Sequence, residues 1–224
     1  MAVEQDWWEL NMAIKTFQDT MMRVRYSAIP VVVAPHGMAL GGGCEISLHA
    51  DKIVAAAETY MGLVEFGVGV IPGGGGSKEM TRRACQHLIP DDVKVNHLRE
   101  AYMTIAMAIV ATSAHEAKNL GFLRDEDVIV VNKDRQIAEA KKHAILMAEA
   151  GYTQPIKEKV KVLGKNAMGM FYVGSDQMVA GHYISEHDRL IANKLGYVMT
   201  GGNLSEPTEV SQQYLLDLER EAFL

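Results

Sequence analysis

Val31-Val32-Val33-Ala34-Pro35-His36-Gly37-Met38-Ala39-Leu40-Gly41-Gly42-Gly43-Cys44-Glu45 is the stretch on which the fold turns. It opens with a four-residue apolar run that suits a buried strand. A glycine loop over 37–43 follows and predicts a short helix over 44–49. Lys52-Ile53-Val54-Ala55-Ala56 reads as the next strand. Beyond Glu65 a second glycine loop runs Gly67-Val68-Gly69-Val70-Ile71-Pro72-Gly73-Gly74-Gly75-Gly76, and a helix opening there is expected to reach about His87. The pattern is strand, glycine loop, helix, twice over.

Glycine loops that feed helices bring backbone N–H groups close to an anionic or polarised ligand. Three readings compete. A dinucleotide loop needs GxGxxG after a strand, but Pro72 stands where the third glycine of Gly67-x-Gly69 should fall. A P-loop needs GxxxxGK[ST], and Gly76-Ser77-Lys78 has the wrong order. The third reading is an oxyanion-type site, in which a helix N-terminus presents N–H groups to a carbonyl oxygen. Two acids add to it: Glu45 just inside the first helix, and Glu65 just before the second loop. A pair of carboxyls beside a polarised carbonyl is what proton transfer with water addition requires, one protonated and one ionised, or sharing a proton. Structure alone also accounts for each acid. Glu45 suits the first turn of a helix electrostatically, Glu65 can face solvent, and the glycines can serve close packing.

Outward from this centre the chain is mostly helical. Trp7, Leu10, Ile14, Phe17, Met21 and Val24 recur at spacings of three and four, one helix face. Asp6 with Glu9 reads as a capping box, and Pro30 stops the run. Downstream, residues 96–111 are apolar and rich in Ala and Met. Ser113 and Glu116 open a helix that Gly121 ends. Residues 128–131 read as a strand, and 132–150 and 185–200 as helices. The segment 210–224 carries Tyr214, Leu215 and Leu218.

With 224 residues, the chain fits one large domain or two small ones, at about 150 residues each. A net charge of -6 argues against nucleic-acid binding as its main role. No apolar run approaches the ~18 residues of a membrane span. Cys44 and Cys85 are too few for a disulfide scaffold, and they predict a reducing compartment, the cytoplasm.

Three segments in this order resemble the crotonase superfamily, the enoyl-CoA hydratases and isomerases. Residues 30–45 are similar to the family's strand–loop–helix with its GGG-x-E segment. Residues 65–76 are similar to its second loop, an acid followed by G-x-x-P-G-x-G-G. Ser113-Ala114-His115-Glu116-Ala117-Lys118-Asn119-Leu120-Gly121-Phe122-Leu123 is similar to S-A-x-E-A-x-x-x-G-L-V. The match is clear over 17–131 and weaker beyond.

The resemblance implies an α/β fold, the crotonase-like (ClpP/crotonase) spiral of ββα units. Residues 1–131 would form the core and 132–224 a helical C-terminal region. It implies reversible hydration of 2-enoyl-CoA, as in fatty acid β-oxidation. Gly42, flanked by Gly41 and Gly43, would give an oxyanion N–H to the thioester carbonyl, and Gly73 would line the substrate site. Glu45 would deprotonate the attacking water, and Glu65 would protonate the α-carbon. Family isomerases often keep one of these acids, so both together favour hydration. Acyl-CoA is the implied substrate, with no cofactor and no metal. The family's trimers imply a homo-oligomer.

The family's early strands, and the loop that gives the other oxyanion N–H, are unmatched here, so the expectation is an N-terminally truncated core. Losing one such donor costs ~10²–10³ in rate, and a crotonase-fold piece without catalysis is the alternative. Residues 86–99 read as an insertion. Residues 183–188 and 219–224 look like the hydratase end of bacterial fused 3-hydroxyacyl-CoA dehydrogenases; NAD would belong to a dehydrogenase domain outside this sequence. Of the remaining residues, His36 and His49 are expected to be packed or hydrogen-bonded. His187 is expected at a solvated helix start, Arg82 and Arg83 on a solvated face, Met103 and Met107 in the core, and Cys44 buried and inert.

Overall fold

The computed structural model describes residues 5–86 and 93–224. Helix α1 (Trp7–Arg25) starts where the Asp6 carboxylate accepts the Glu9 N–H at 2.9 Å. Arg23 and Arg25 sit in its last turn, where the helix dipole favours cations. Its buried line is Ile14, Gln18 and Met21; Trp7 and Phe17, both in the predicted stripe, stay partly exposed.

After α1 the chain winds through two parallel sheets. Strand β1 (Val32–Val33) pairs with β3 (Lys52–Ala56), and β3 with β5 (Val128–Val130). In the other sheet β2 (Gly37–Leu40) pairs with β4 (Thr59–Gly62), Gly37 opposite Thr59 and Ala39 opposite Met61. Parallel neighbours need a crossover, and α2 (Gly42–His49) supplies it. The path strand, strand, helix, strand, strand is the ββα spiral. Its period-two alternation buries Ala39 and Met61 and leaves Met38 and Tyr60 outside.

One expectation is corrected here. Residues 37–43 are not all loop: Gly37–Leu40 is a strand, because its partner β4 lies in the other sheet and offers a complete parallel register. Glu65 and the start of the second loop form a 3₁₀ turn, Glu65–Val68.

Helices α3 (Gly76–Gln86), α4 (Lys94–Ala106) and α5 (Ala114–Asn119) pack under this spiral. The Ser113 hydroxyl caps α5 by accepting the Glu116 N–H at 3.1 Å, but the Glu116 carboxylate turns to Thr112 instead of closing the box. A 3₁₀ turn, Lys133–Arg135, precedes α6 (Gln136–Glu149), so the helix expected over 132–150 starts late. The expected end of α3 at His87 and residues 87–92 of the expected insertion lie outside the described residues.

The C-terminal part adds β6 (Val160–Val162), α7 (Lys165–Ala180), α8 (Glu186–Met199), β7 (Thr208–Val210) and α9 (Gln212–Phe223). Strands β6 and β7 pair antiparallel, Val160 opposite Val210. Ser185 and Asp188 form a complete capping box on α8. One apolar core joins the spiral to these helices: Leu48, Ile53, Met61, Ile105 and Phe122 are fully buried together with Leu195, Met199 and Leu215. Among the described residues no helix is long and apolar enough to cross a membrane.

Candidate active site

The first glycine run turns the chain from β2 into α2. Gly41 is the N-cap at φ 52°, a left-handed conformation that favours glycine, and no side chain caps the helix. Gly42 and Gly43 form the exposed first turn. The first N–H groups of a helix have no partner within it, so this end presents donors at the surface. A Cβ on Gly41 would sit 3.2 Å from Glu65 Oε1. The close approach of Glu65 therefore uses the missing side chain.

One turn inside α2, Glu45 is only 2% exposed. Its Oε1 accepts the backbone N–H of Gly74 at 2.8 Å and of Gly76 at 2.9 Å. Burial, then the neighbouring Glu219 and Glu65 carboxyls, push its pKa up to about 8 against the pull of these two donors. Glu65, on the 3₁₀ turn, is half-buried. Its Oε2 is buried with no hydrogen-bond partner, and burial raises its pKa as well. The structure thus brings Glu45, Glu65, Gly41 and Gly42 to one place from two loops. The Phe17 ring of α1 lies against Gly42 and Gly74 and closes one side. A Cβ on Gly73 would meet the Phe223 ring at 3.0 Å, on the side of α9.

Residues 9–125, more than half of the 224, match the family model described as "Enoyl-CoA hydratase/isomerase". The chain belongs to that family. A Bacillus subtilis (strain 168) protein described as "Probable 3-hydroxyacyl-CoA dehydrogenase" is 48% identical over 225 residues, covering 100% of this chain and 28% of its own length. Human "Methylglutaconyl-CoA hydratase, mitochondrial" is 48% identical over 54 residues, 24% of this chain and 16% of the relative. The crystal structure of an enoyl-CoA hydratase from Bacillus anthracis superposes with a TM-score of 0.50 at 24% identity, covering 85% of this chain and 61% of that one. That of an enoyl-CoA hydratase from Polaromonas sp. JS666 gives 0.50 at 18%, covering 88% and 64%. These two show the crotonase fold. The chain thus spans less than two thirds of these proteins, and about a quarter of the Bacillus subtilis one.

Behind the hydratase/isomerase loops lies a buried polar layer. Glu219 of α9 is fully buried and accepts N–H groups from Gly75 at 2.5 Å, Ser77 at 2.9 Å and Lys78 at 3.2 Å. Burial raises its pKa to about 7. His49, also fully buried, has Nδ1 2.7 Å from the Glu45 carbonyl and Nε2 2.9 Å from Lys78 Nζ. The carbonyl can only accept and the ammonium can only donate, so the proton sits on Nδ1. Burial and then Lys78 push the His49 pKa down to about 3.

Glu79 is the hub of this layer, ion-paired with Arg82 at 2.7 Å, Lys78 at 3.1 Å, Arg25 at 3.4 Å and Arg83 at 3.5 Å. Burial works to raise its pKa, but Lys78, Arg82 and Arg25 overcome it and hold the carboxyl well below the usual range. The expected solvated face at Arg82 and Arg83 is therefore corrected. Arg82 is buried and held by Glu79 and Gln86 of its own helix, while Arg83 donates to the Leu48, Gly121 and Phe122 carbonyls, which remote elements bring to it.

Beside Phe66, the neighbour of Glu65, a cavity of about 120 Å³ opens between α4, α7 and α8. Met103 and Met107 line it and are 36% and 51% exposed, so they are not core as expected. Tyr102 stacks on Phe171 in its wall with centroids 4.2 Å apart. Cys44 is buried with its thiol pKa raised by burial, His36 is exposed, and His187 sits at the exposed start of α8. Glu219 was missed as a site residue because its partners lie 141 to 144 positions away. The one sequence signal was an acid beside apolar Leu218 on the buried side of α9.

Proposed function

We propose that this chain adds water reversibly across the double bond of a 2-enoyl-CoA thioester, giving a 3-hydroxyacyl-CoA, as in fatty acid β-oxidation. The observation that carries this reading is the meeting of two partly desolvated carboxyls, Glu45 and Glu65, beside the open α2 N-terminus, with Glu65 Oε2 lacking a partner. The thioester carbonyl accepts the Gly42 N–H, which stabilises the negative charge that develops on its oxygen as water adds. Glu45 takes one proton from water while the water oxygen bonds to C3. Glu65 gives a proton to C2. The sum is one water added and no redox change, so the reading needs no cofactor. A Glu45 pKa of about 8 suits a group that takes and returns a proton near neutrality, and the burial that raises the Glu65 pKa favours its protonated, proton-giving form.

The apolar cavity beside Phe66 would take the acyl chain. Met38 is 82% and Tyr60 40% exposed on the outer face of β2 and β4, which supports self-association as a homo-oligomer. Light scattering that shows a clean monomer would contradict the oligomer.

The deciding experiment follows the absorbance of a short 2-enoyl-CoA with the wild type, Glu45→Gln and Glu65→Gln. Each variant should lose ~10²-fold or more, the scale of general acid–base catalysis. Full activity in either variant would sink the site assignment. A wild type without turnover would favour a crotonase-fold piece with no catalysis of its own. Double-bond migration without water uptake would favour the isomerase reading.

A further inference from the structure

We propose that Glu219 is a positioning residue for Glu45, holding from α9 the backbone whose N–H groups hold Glu45 from α2. The inference rests on the hydratase reading of Glu45. Five consecutive N–H groups, from Gly74 to Lys78, are divided between the two carboxyls. Gly74 and Gly76 point to Glu45 Oε1, while Gly75, Ser77 and Lys78 point to Glu219. The donors alternate over Gly74, Gly75, Gly76 and Ser77, so each carboxyl fixes peptide planes that the other needs. Gly75 makes this alternation possible: its φ is +102°, and a Cβ there would meet His49 at 3.0 Å. If Glu219 moves, the Gly75–Gly76 peptide turns and the Gly76 N–H leaves Glu45.

The two acids also act on each other electrostatically, because two buried carboxyls at one helix N-terminus disfavour double ionisation. The surrounding charges relieve this only in part: Lys78 pulls the Glu219 pKa down. The Lys78 ammonium faces His49, Glu79 and Gln212. Glu79 is matched by Arg25, Arg82 and Arg83. On the α1 side, Gln18 bonds the Leu216 carbonyl and Arg220, and Arg220 also pairs with Asp217. Glu65 adds a third carboxyl near Glu45. Glu219 therefore fixes the direction of the Glu45 carboxyl and adds to the proton affinity that burial gives it.

The test is a carboxyl ¹³C NMR titration of the full chain, with the Glu45 signal identified by its loss in Glu45→Gln. Glu219→Gln keeps the size and one acceptor oxygen and removes the charge. It should lower the Glu45 midpoint by at least about one pH unit, tenfold in proton affinity; an unmoved midpoint overturns the proposal. Coupling is reciprocal. The Glu219 curve in Glu45→Gln must therefore lose the part of its rise that coincides with Glu45 ionisation, since the acid that ionises first does so beside a neutral partner; a curve unchanged in that overlap overturns the proposal even where Glu219→Gln does not fold. In the hydration assay the acidic limb of kcat/KM should move to lower pH in Glu219→Gln, with KM changed less than about threefold. Moving midpoints in a wild type that hydrates no 2-enoyl-CoA would overturn the hydratase reading and leave the coupling standing. Hydration with unmoved midpoints would do the reverse.

Discussion

The Phe17 ring occupies the space that a side chain on Gly74 would need. The same point lies 2.6 Å from Glu45 Oε2, so helix α1, the second glycine loop and the buried acid meet with no room for a methyl group.

Gly74→Ala should therefore push Phe17 outward and pull the Gly74 N–H away from Glu45. Overpacking of this kind costs ~1–3 kcal/mol, read as a lower urea midpoint with the slope unchanged. Adding Phe17→Ala should return part of the loss, since two residues in contact do not act independently. Strictly additive losses in the double variant would show that the ring is not the obstacle.

The buried acids and the buried histidine pull stability in opposite pH directions. The Glu45 pKa rises from an ordinary 4.5 to about 8 on folding. Its contribution is thus full below 4.5 and is lost as pH climbs through about 8. Glu219, raised to about 7, acts the same way. The His49 pKa falls from 6.5 to about 3, so its contribution is full above 6.5 and is lost as pH drops through about 3. Glu45→Gln should gain stability over the wild type by more at pH 8 than at pH 5. Equal offsets in urea midpoints at the two pH values would contradict the raised carboxyl.

Glu79 compensates four cations in the interior. Breaking a buried pair from one side costs ~3–5 kcal/mol because the other charge remains. Glu79→Gln should fall in that range or fail to fold. Glu126→Gln should be nearly neutral, since that carboxylate is 57% exposed beside Arg124. Similar losses in the two variants would deny Glu79 its role as hub.

The sequence was most legible where local chemistry decides the structure. Asp6 and Ser185 open α1 and α8, and Gly41 to Glu45 turn a strand into a helix. It was least legible where the partner is remote. Gly37–Leu40 reads as glycine loop until Thr59–Gly62 lies beside it. Helix α7 contains Gly169 and Gly174, residues of low helix propensity, and is fixed by packing on α8. Polar Lys78, Glu79 and Arg82 suggest a wet face, but they bury because Arg25, His49 and Gln212 are brought to them. The pairing of Glu45 with Glu65 could be proposed from two loops with one acid each, whereas Glu219 needed α9 in place.

Neither thiol should react in the native protein. Burial pushes the Cys44 thiol well up and the Cys85 thiol to about 12, so thiolate is scarce at pH 8. Iodoacetamide should modify both only as fast as the chain unfolds. Rapid labelling of Cys44 in the native state would show that the α2 helix opens locally.

Gly174 offers a clean probe of the cavity beside Phe66. It lines that cavity from α7, its φ is not positive, and a Cβ there meets nothing within 4 Å. Leucine is also a better helix former than glycine by roughly 0.5–1 kcal/mol, so Gly174→Leu should fold at least as well. Its side chain would fill much of the roughly 120 Å³ available. If the acyl chain enters there, hydration of a four-carbon 2-enoyl-CoA should change little. A ten-carbon substrate should lose tenfold or more in kcat/KM, the scale of one or two displaced methylenes. An equal change for both lengths would place the acyl chain elsewhere.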